Sequence, residues 1–320
     1  MAMVLPWALS FLGLIILLLA GDSLVRGAVN LSLRLGVPAL IVSLTIVAFG
    51  TSAPELLIAV QAVLDDAPGL ALGNVVGSNT ANILMVLGIP ALLATMHTSE
   101  CETRKTYGFM ILASVLFIAL AFRGVFDWIA AAVLLLGLGF VLYHAAREAT
   151  GHRATCAAGN ADQDEIDGVD PSLPGWRIAV LLVLGLVGMP LGADLLVNNA
   201  TIIARTYGVS DTVIGLTLVA IGTSLPELAT TVMAALRRQA DVALGNVIGS
   251  NMFNLLAIIG IASLVGPIPV DSAFLRFDLW VMLGASILLV PFVYMRRDIT
   301  RIWGVILTAL YIAYLLVVLN

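Results

Sequence analysis

The sequence predicts an all-α, polytopic membrane protein: ten transmembrane helices arranged as two inverted five-helix repeats. Three observations carry that prediction. The chain is 61% hydrophobic and 11% charged, with a mean hydropathy of +1.08, far from the roughly 45–50% apolar, 25% charged average of soluble domains. Its apolar runs recur along the whole length near the roughly 20 residues that a helix needs to cross about 30 Å of hydrocarbon, a pattern that strands of about 10 alternating residues would not give. Finally, one stretch occurs twice. Gly50-Thr51-Ser52-Ala53-Pro54-Glu55, followed by Gly73-Asn74-Val75-Val76-Gly77-Ser78-Asn79-Thr80-Ala81-Asn82, returns as Gly222-Thr223-Ser224-Leu225-Pro226-Glu227 and Gly245-Asn246-Val247-Ile248-Gly249-Ser250-Asn251-Met252-Phe253-Asn254, shifted by 172 throughout without a gap.

Taken in order, the apolar runs place helices at about 4–33, 37–63, 70–95, 105–122, 126–146, 176–206, 209–236, 242–265, 275–295 and 301–319. The first run, Val4 to Ala20, has no positive residue ahead of it and no evident small-residue cleavage site, so it is expected to be a membrane helix and not a removable signal. The hydrophilic stretch Arg147 to Gly175 separates five helices from five, giving a first repeat at 1–146, a linker at 147–175 and a second repeat at 176–320. Asp22, Val25, Ala28, Gly36 and Val37 match Asp194, Val197, Ala200, Gly208 and Val209 at the same shift, so the whole half is duplicated. An odd number of crossings per half starts the second half on the opposite side of the membrane, the inverted-topology repeat of secondary transporters.

Charge placement orients the chain, whereas its net charge of -5 names no partner and nothing resembles a nucleic-acid footprint. With both termini outside, every Lys and Arg except Arg123, Arg205 and Arg276 falls in an inner connection. The linker is then cytoplasmic, and the expectation is a multi-pass protein of the cell membrane with both termini extracytoplasmic.

The chemistry gathers in the doubled motif. Glu55 and Glu227 each interrupt an apolar helix near its middle, where a carboxylate costs several kcal/mol unless it faces protein, water or a cation. Occurring at matching places in two inverted halves, they would meet near the bilayer midplane. Pro54 and Pro226 should break helices two and seven, freeing the carbonyls of Gly50 and Gly222. Thr51 and Glu55 are four apart and should share a helical face, with Ser52 beside them. Asn74, Ser78 and Asn82 form a polar stripe beside the Gly73/Gly77 packing surface, repeated by Asn246, Ser250, Asn254, Gly245 and Gly249. Ser78, Asn82, Ser250 and Asn254, in register with the glutamates, read as ligands. Asn74, Asn79, Asn246 and Asn251 read equally as ligands or as interhelical glue. Carboxylate, hydroxyl, amide and carbonyl oxygens without His or Cys suit hard cations such as Ca²⁺ and Na⁺, and disfavour zinc, copper and iron.

These paired segments resemble the two α-repeats of the cation/calcium exchanger superfamily, the sodium/calcium exchangers and their microbial relatives. The resemblance implies that Glu55 and Glu227 are the central metal ligands, with Thr51, Ser52, Ser78, Asn82, Thr223, Ser224 and Ser250 around them and backbone carbonyls from Ala48 and Ala220. It also implies alternating access, in which the first helix of each half slides over a fixed core. One position departs: where well-known exchangers carry Asp, this chain has Asn254, which leaves two acidic ligands and brings the halves closer to identity.

The expected function is therefore secondary-active antiport of Ca²⁺ against Na⁺, with no organic cofactor, no enzymatic chemistry, the lipid bilayer as surroundings and a monomer as the functional unit. Proton/calcium or another cation antiport is the alternative within transport. A cation channel is disfavoured by the inverted duplication, and an enzyme by the absence of a clustered nucleophile and base. Cys101 and Cys156 read as incidental, and His97, His144 and His152 as solvated helix-end residues. Asp22 and Asp194 are candidates for anchoring the mobile first helices. The acidic run Asp162 to Asp170 fails calcium-loop spacing, with Ile166 at the third ligand position, and reads as polar linker.

Overall fold

A computed structural model describes residues 4–156, 173–208 and 220–319. Its helices follow the apolar runs: α1 (Val4–Leu35), α2 (Ala39–Thr51), α3 (Ala53–Leu64), α4 (Pro68–Leu93), α5 (Arg104–Ala121), α6 (Trp128–Cys156), α7 (Gly175–Thr206), α8 (Ala220–Thr223), α9 (Leu225–Leu236), α10 (Ala240–Val265), α11 (Phe274–Val293) and α12 (Arg301–Leu319). Among the described residues eight helices are long and apolar enough to span a membrane, or nine with α2 and α3 taken as one bent span. The tenth expected span, 209–236, is represented by α8 and α9, since residues 209–219 lie outside the described ones. So does the acidic run at 162–170. Helix α6 continues to Cys156, ten residues into the stretch expected to be linker. Its Ala145-Ala146-Arg147-Glu148-Ala149 segment consists of strong helix formers, which hold the helix beyond the apolar run.

Both proline breaks are present. Helices α2 and α3 meet at 43°, with Ser52 (φ −85°, ψ 4°) between them and Pro54 in the first turn of α3. Ser224 (φ −88°, ψ 4°) and Pro226 repeat this between α8 and α9. Proline lacks the N–H that would continue the incoming helix but is well tolerated in a first turn, so each break ends one helix and starts another. The expected shared face of Thr51 and Glu55 is therefore absent, because the two residues lie on separate helices either side of Ser52.

Helices α4 and α10 form the centre, with 83% and 89% of their apolar windows buried, against 33% for α1, 22% for α7 and 17% for α12. In lipid, helices are held by close packing and polar contacts, since apolar side chains gain little by leaving hydrocarbon for protein. Small residues permit this. A Cβ on Gly249 would fall 2.5 Å from the carbonyl oxygen of Leu44, so α10 presses directly on the backbone of α2, where Ser43 Oγ also donates to Val242 O at 2.6 Å. Likewise Gly13 of α1 abuts Gly192 and Leu196 of α7, while Gly185 abuts Ala20 and Leu24 and Gly27 abuts Leu182. Contacts that ascend α1 descend α7, so the two equivalent helices run antiparallel, as inversion requires.

The repeats are also stitched at both faces. Val125–Phe126 (β1) pairs antiparallel with Ile268–Pro269 (β2), and Met96 bridges Ile299 at the other face. On the latter, arginine-rich face, His97 Nδ1 lies 3.0 Å from Asp298 Oδ2, so His97 is an interface residue and not a merely solvated one. Cys101 is buried there, and burial, reinforced by Asp241, pushes its thiol pKa up and keeps it protonated. Asp22 on α1 pairs with both Arg237 at the end of α9 and, at 4.0 Å, Arg26.

Candidate ion-binding site

Glu55 and Glu227 each lie in the first turn of a helix that begins within a membrane-spanning stretch. The open N–H groups and positive dipole end of such a turn favour negative charge. The prolines thus make the expensive burial of these carboxylates, 1% and 0% exposed, partly self-compensating.

The side chains that meet Glu227 come from the other repeat as well as its own. Ser52 Oγ donates to Glu227 Oε1 at 3.2 Å and Ser250 Oγ to the same oxygen at 3.5 Å. Thr51 Oγ1 lies 3.3 Å from Asn246 Oδ1 and 3.4 Å from Ser250 Oγ. In the mirrored contact Thr223 Oγ1 donates to Asn74 Oδ1 at 3.5 Å. Asn82 Nδ2 donates to Asn251 Oδ1 at 3.0 Å. Ser78 and Ser250 are both buried on the facing helices α4 and α10. The bonds Ser52–Glu227, Thr51–Asn246, Thr223–Asn74 and Asn82–Asn251 each cross from one repeat to the other.

Several buried atoms in it have no protein partner: Glu55 Oε2, Glu227 Oε2, Ser224 Oγ, Asn82 Oδ1 and both amide atoms of Asn254. A buried polar atom left unpaired costs about 1–3 kcal/mol, more when charged. Their concentration here, mostly as oxygen acceptors, matches the need of a dehydrated hard cation for several oxygens. The carbonyl of Ala48 already accepts from Ser52 N at 3.0 Å and Thr51 Oγ1 at 3.2 Å, so an ion that used it would share those bonds. Ala220 opens α8 at the equivalent place. Two roles were not legible in the sequence. Asn246 Nδ2 donates to Thr231 Oγ1 at 3.3 Å, a contact the duplication hides because the counterpart of Thr231 is Ala59. Asn79 and Asn251, which the motif leaves equally as ligands or as interhelical glue, are bonded to each other's backbone, a pairing that residue spacing does not show.

The sodium/calcium exchanger protein family matches residues 5–146 and 177–320, nearly all of both repeats. This chain belongs to the sodium/calcium exchanger family. The exchanger is 37% identical over 307 residues to a putative antiporter, CaxA, of Alkalimonas amylolytica, covering 94% of this chain and 95% of that one. It is 34% identical over 337 residues to the sodium/calcium exchanger MaX1 of Methanosarcina acetivorans, covering 96% of each. Solved structures of the sodium-calcium exchanger NCX_Mj, soaked with Na⁺ and Sr²⁺ or with Na⁺ and Ca²⁺, superpose with TM-scores of 0.81 and 0.79 at 32% and 33% identity, over 97% of both chains. The exchanger is thus a membrane antiporter, not an enzyme, and Ca²⁺ and Na⁺ are its cargo.

Proposed function

We propose that this exchanger loads Ca²⁺ and Na⁺ in turn at one shared site, with Glu55 and Glu227 as the central ligands. Thr51, Ser52, Ser78, Asn82, Thr223, Ser224, Ser250 and Asn254 and the carbonyls of Ala48 and Ala220 complete the oxygen shell. The observation that carries this is the bond from Ser52 to Glu227, which ties the acid of one repeat to the motif of the other. With Asn at both 82 and 254, the site's fixed charge is −2 when both glutamates are ionised; Ca²⁺ gives a neutral load and three Na⁺ would give one positive charge. Exchange follows from competition: only a loaded site changes the side to which it opens, as α1 and α7, packed on each other through small residues, slide over the fixed core. The arginine-rich face is cytoplasmic by the positive-inside rule, which leaves both termini outside the cell membrane. The functional unit is a monomer.

Purified exchanger in proteoliposomes, loaded separately with Na⁺, K⁺ or a pH gradient, tests the cargo. Uptake of ⁴⁵Ca²⁺ is expected only against Na⁺. Uptake that follows the pH gradient alone would replace Na⁺ by protons as the counter-ion, and flux without any trans ion would indicate a channel.

A further inference from the structure

Asn79 and Asn251 are equivalent in the two repeats and are bonded to each other reciprocally. Asn79 Nδ2 donates to Asn251 O at 3.2 Å, and Asn251 Nδ2 donates to Asn79 O at 3.3 Å. Two residues 172 apart that exchange the same bond mark the pseudo-two-fold axis itself. Both are 1% exposed, in helices α4 and α10. With each Nδ2 committed, what remains is one amide oxygen apiece. Asn251 Oδ1 accepts from Asn82 Nδ2 at 3.0 Å, which leaves Asn82 Oδ1 buried and without a protein partner. The mirrored bond, from Asn254 Nδ2 to Asn79 Oδ1, is not made: both of those atoms, and Asn254 Oδ1, are unpartnered.

Both residues lie at a widened turn: Val86 N bonds Ala81 O across Asn82, and Asn254 is the second residue of a π-helical turn, Phe253–Ile258. Single π turns of this kind are frequent at functional sites.

We infer that Asn79 and Asn251 are the positioning residues of the ion site: each is fixed by the other's backbone and offers its Oδ1 as a dock for the ligand amide of the opposite repeat, Asn251 for Asn82 and Asn79 for Asn254. Asn82 is docked in the structure, so its oxygen is preset for a cation. Asn254 docks when an ion is loaded, and its own oxygen then completes the shell. The dock requires an N–H at residue 254. An ionised carboxylate there would turn an acceptor toward the Asn79 acceptor, so the amide at 254 is the group that Asn79 can hold. This inference rests on the proposal that Asn82 and Asn254 are ligands.

Crossed double-mutant cycles on the Ca²⁺ half-saturation of Na⁺-driven uptake test it, because cycles isolate pairwise coupling. Asn251→Ala and Asn82→Ala should each raise half-saturation by on the order of fivefold, the worth of one buried hydrogen bond, and the double variant should be no worse than either. Asn79→Ala and Asn254→Ala should be coupled in the same way. The crossed pairs, Asn251→Ala with Asn254→Ala and Asn79→Ala with Asn82→Ala, should multiply. A simple packing role for Asn79 and Asn251 would lower thermal stability and leave half-saturation unmoved in Asn79→Ala and Asn251→Ala; that result overturns the docks. If Asn82→Ala leaves half-saturation unchanged, the ligand assignment fails first and the inference falls with it. Should an alanine variant not insert, Asn79→Ser and Asn251→Ser keep a polar group too short to reach the opposite amide, and the same pattern is expected.

Discussion

The two repeats carry nearly the same motif and hold it differently. Around Glu227 more hydrogen bonds are made: Ser52 and Ser250 both donate to its Oε1, and Asn246 is bonded at both ends, to Thr51 and to Thr231. Around Glu55 they are open: the counterpart of Ser52 is Ser224, whose Oγ has no protein partner, and the counterpart of Asn246 is Asn74, whose Nδ2 has none. A similar inequality appears where the first helix of each repeat meets the core. Asp22 of α1 is paired to Arg237 and Arg26, while the residues equivalent to those arginines are Asp65 and Asn198. Among the described residues Asp194 has an amide from Asn198, at 2.9 Å, and Asp65 one from Gln61, at 2.8 Å. Ala229, against which Gly21 of α1 packs, is 6% exposed, and its counterpart Leu57 is 72% exposed. A duplicated sequence can therefore carry two equivalent sets of polar groups while a handful of unmatched residues give the two halves different partners.

The ion pair offers the largest handle on that inequality. Arg237→Asp sets two acids against each other at Asp22 and should shift the balance of the two access states by about 1–3 kcal/mol, or 5- to 150-fold. Cysteine accessibility from the arginine-rich face of sealed vesicles should rise accordingly. The swap of Asp22→Arg with Arg237→Asp should restore it, and Asp65→Arg, which gives Asp194 a partner, should favour closure at the opposite face. Unchanged accessibility in all three would show that the pair is only a surface contact.

Next comes the serine pair. Without Ca²⁺, Ser52→Ala removes a made bond to a buried carboxylate and should lower stability in detergent by about 1.5–3 kcal/mol. Ser224→Ala, which breaks nothing, should have almost no effect until Ca²⁺ is added. Equal losses in ion-free melts would mean that the two half-sites are alike.

The smallest effect belongs to Thr231→Ala, which makes the second repeat resemble the first at this position. It should destabilise by about 1 kcal/mol and leave the Ca²⁺ dependence of transport almost unchanged. A several-fold shift in half-saturation would instead make Thr231 part of the ion shell.

Most of the fold was legible because membrane helices declare themselves by length and composition, and because a gapless 172-residue shift admits few architectures. The proline breaks were equally readable, since a proline's missing N–H acts locally. What could not be read was which hydroxyl meets which acid. The sequence pointed to Thr51 and Glu55 on one face, but the break at Ser52 turns Thr51 toward Asn246 and hands Ser52 to Glu227. Side-chain partners across an axis depend on helix rotation after a break, which residue spacing along one helix does not describe. The missing bond at Asn254 is of the same kind: Asn82 and Asn254 hold matching places in the repeated motif, yet only Asn82 is bonded to the opposite asparagine.

The central claim is that the two repeats build a single site from both glutamates. Equilibrium binding of ⁴⁵Ca²⁺ to purified exchanger in Na⁺-free detergent, for wild type, Glu55→Gln and Glu227→Gln, tests it most directly. Each substitution keeps the side chain's size and removes half of the fixed charge that a buried divalent ion must meet. The account predicts one Ca²⁺ per wild-type chain and loss of that binding, by at least about a hundredfold in affinity, in either variant. Two Ca²⁺ per wild-type chain, with one surviving in each variant, would contradict it.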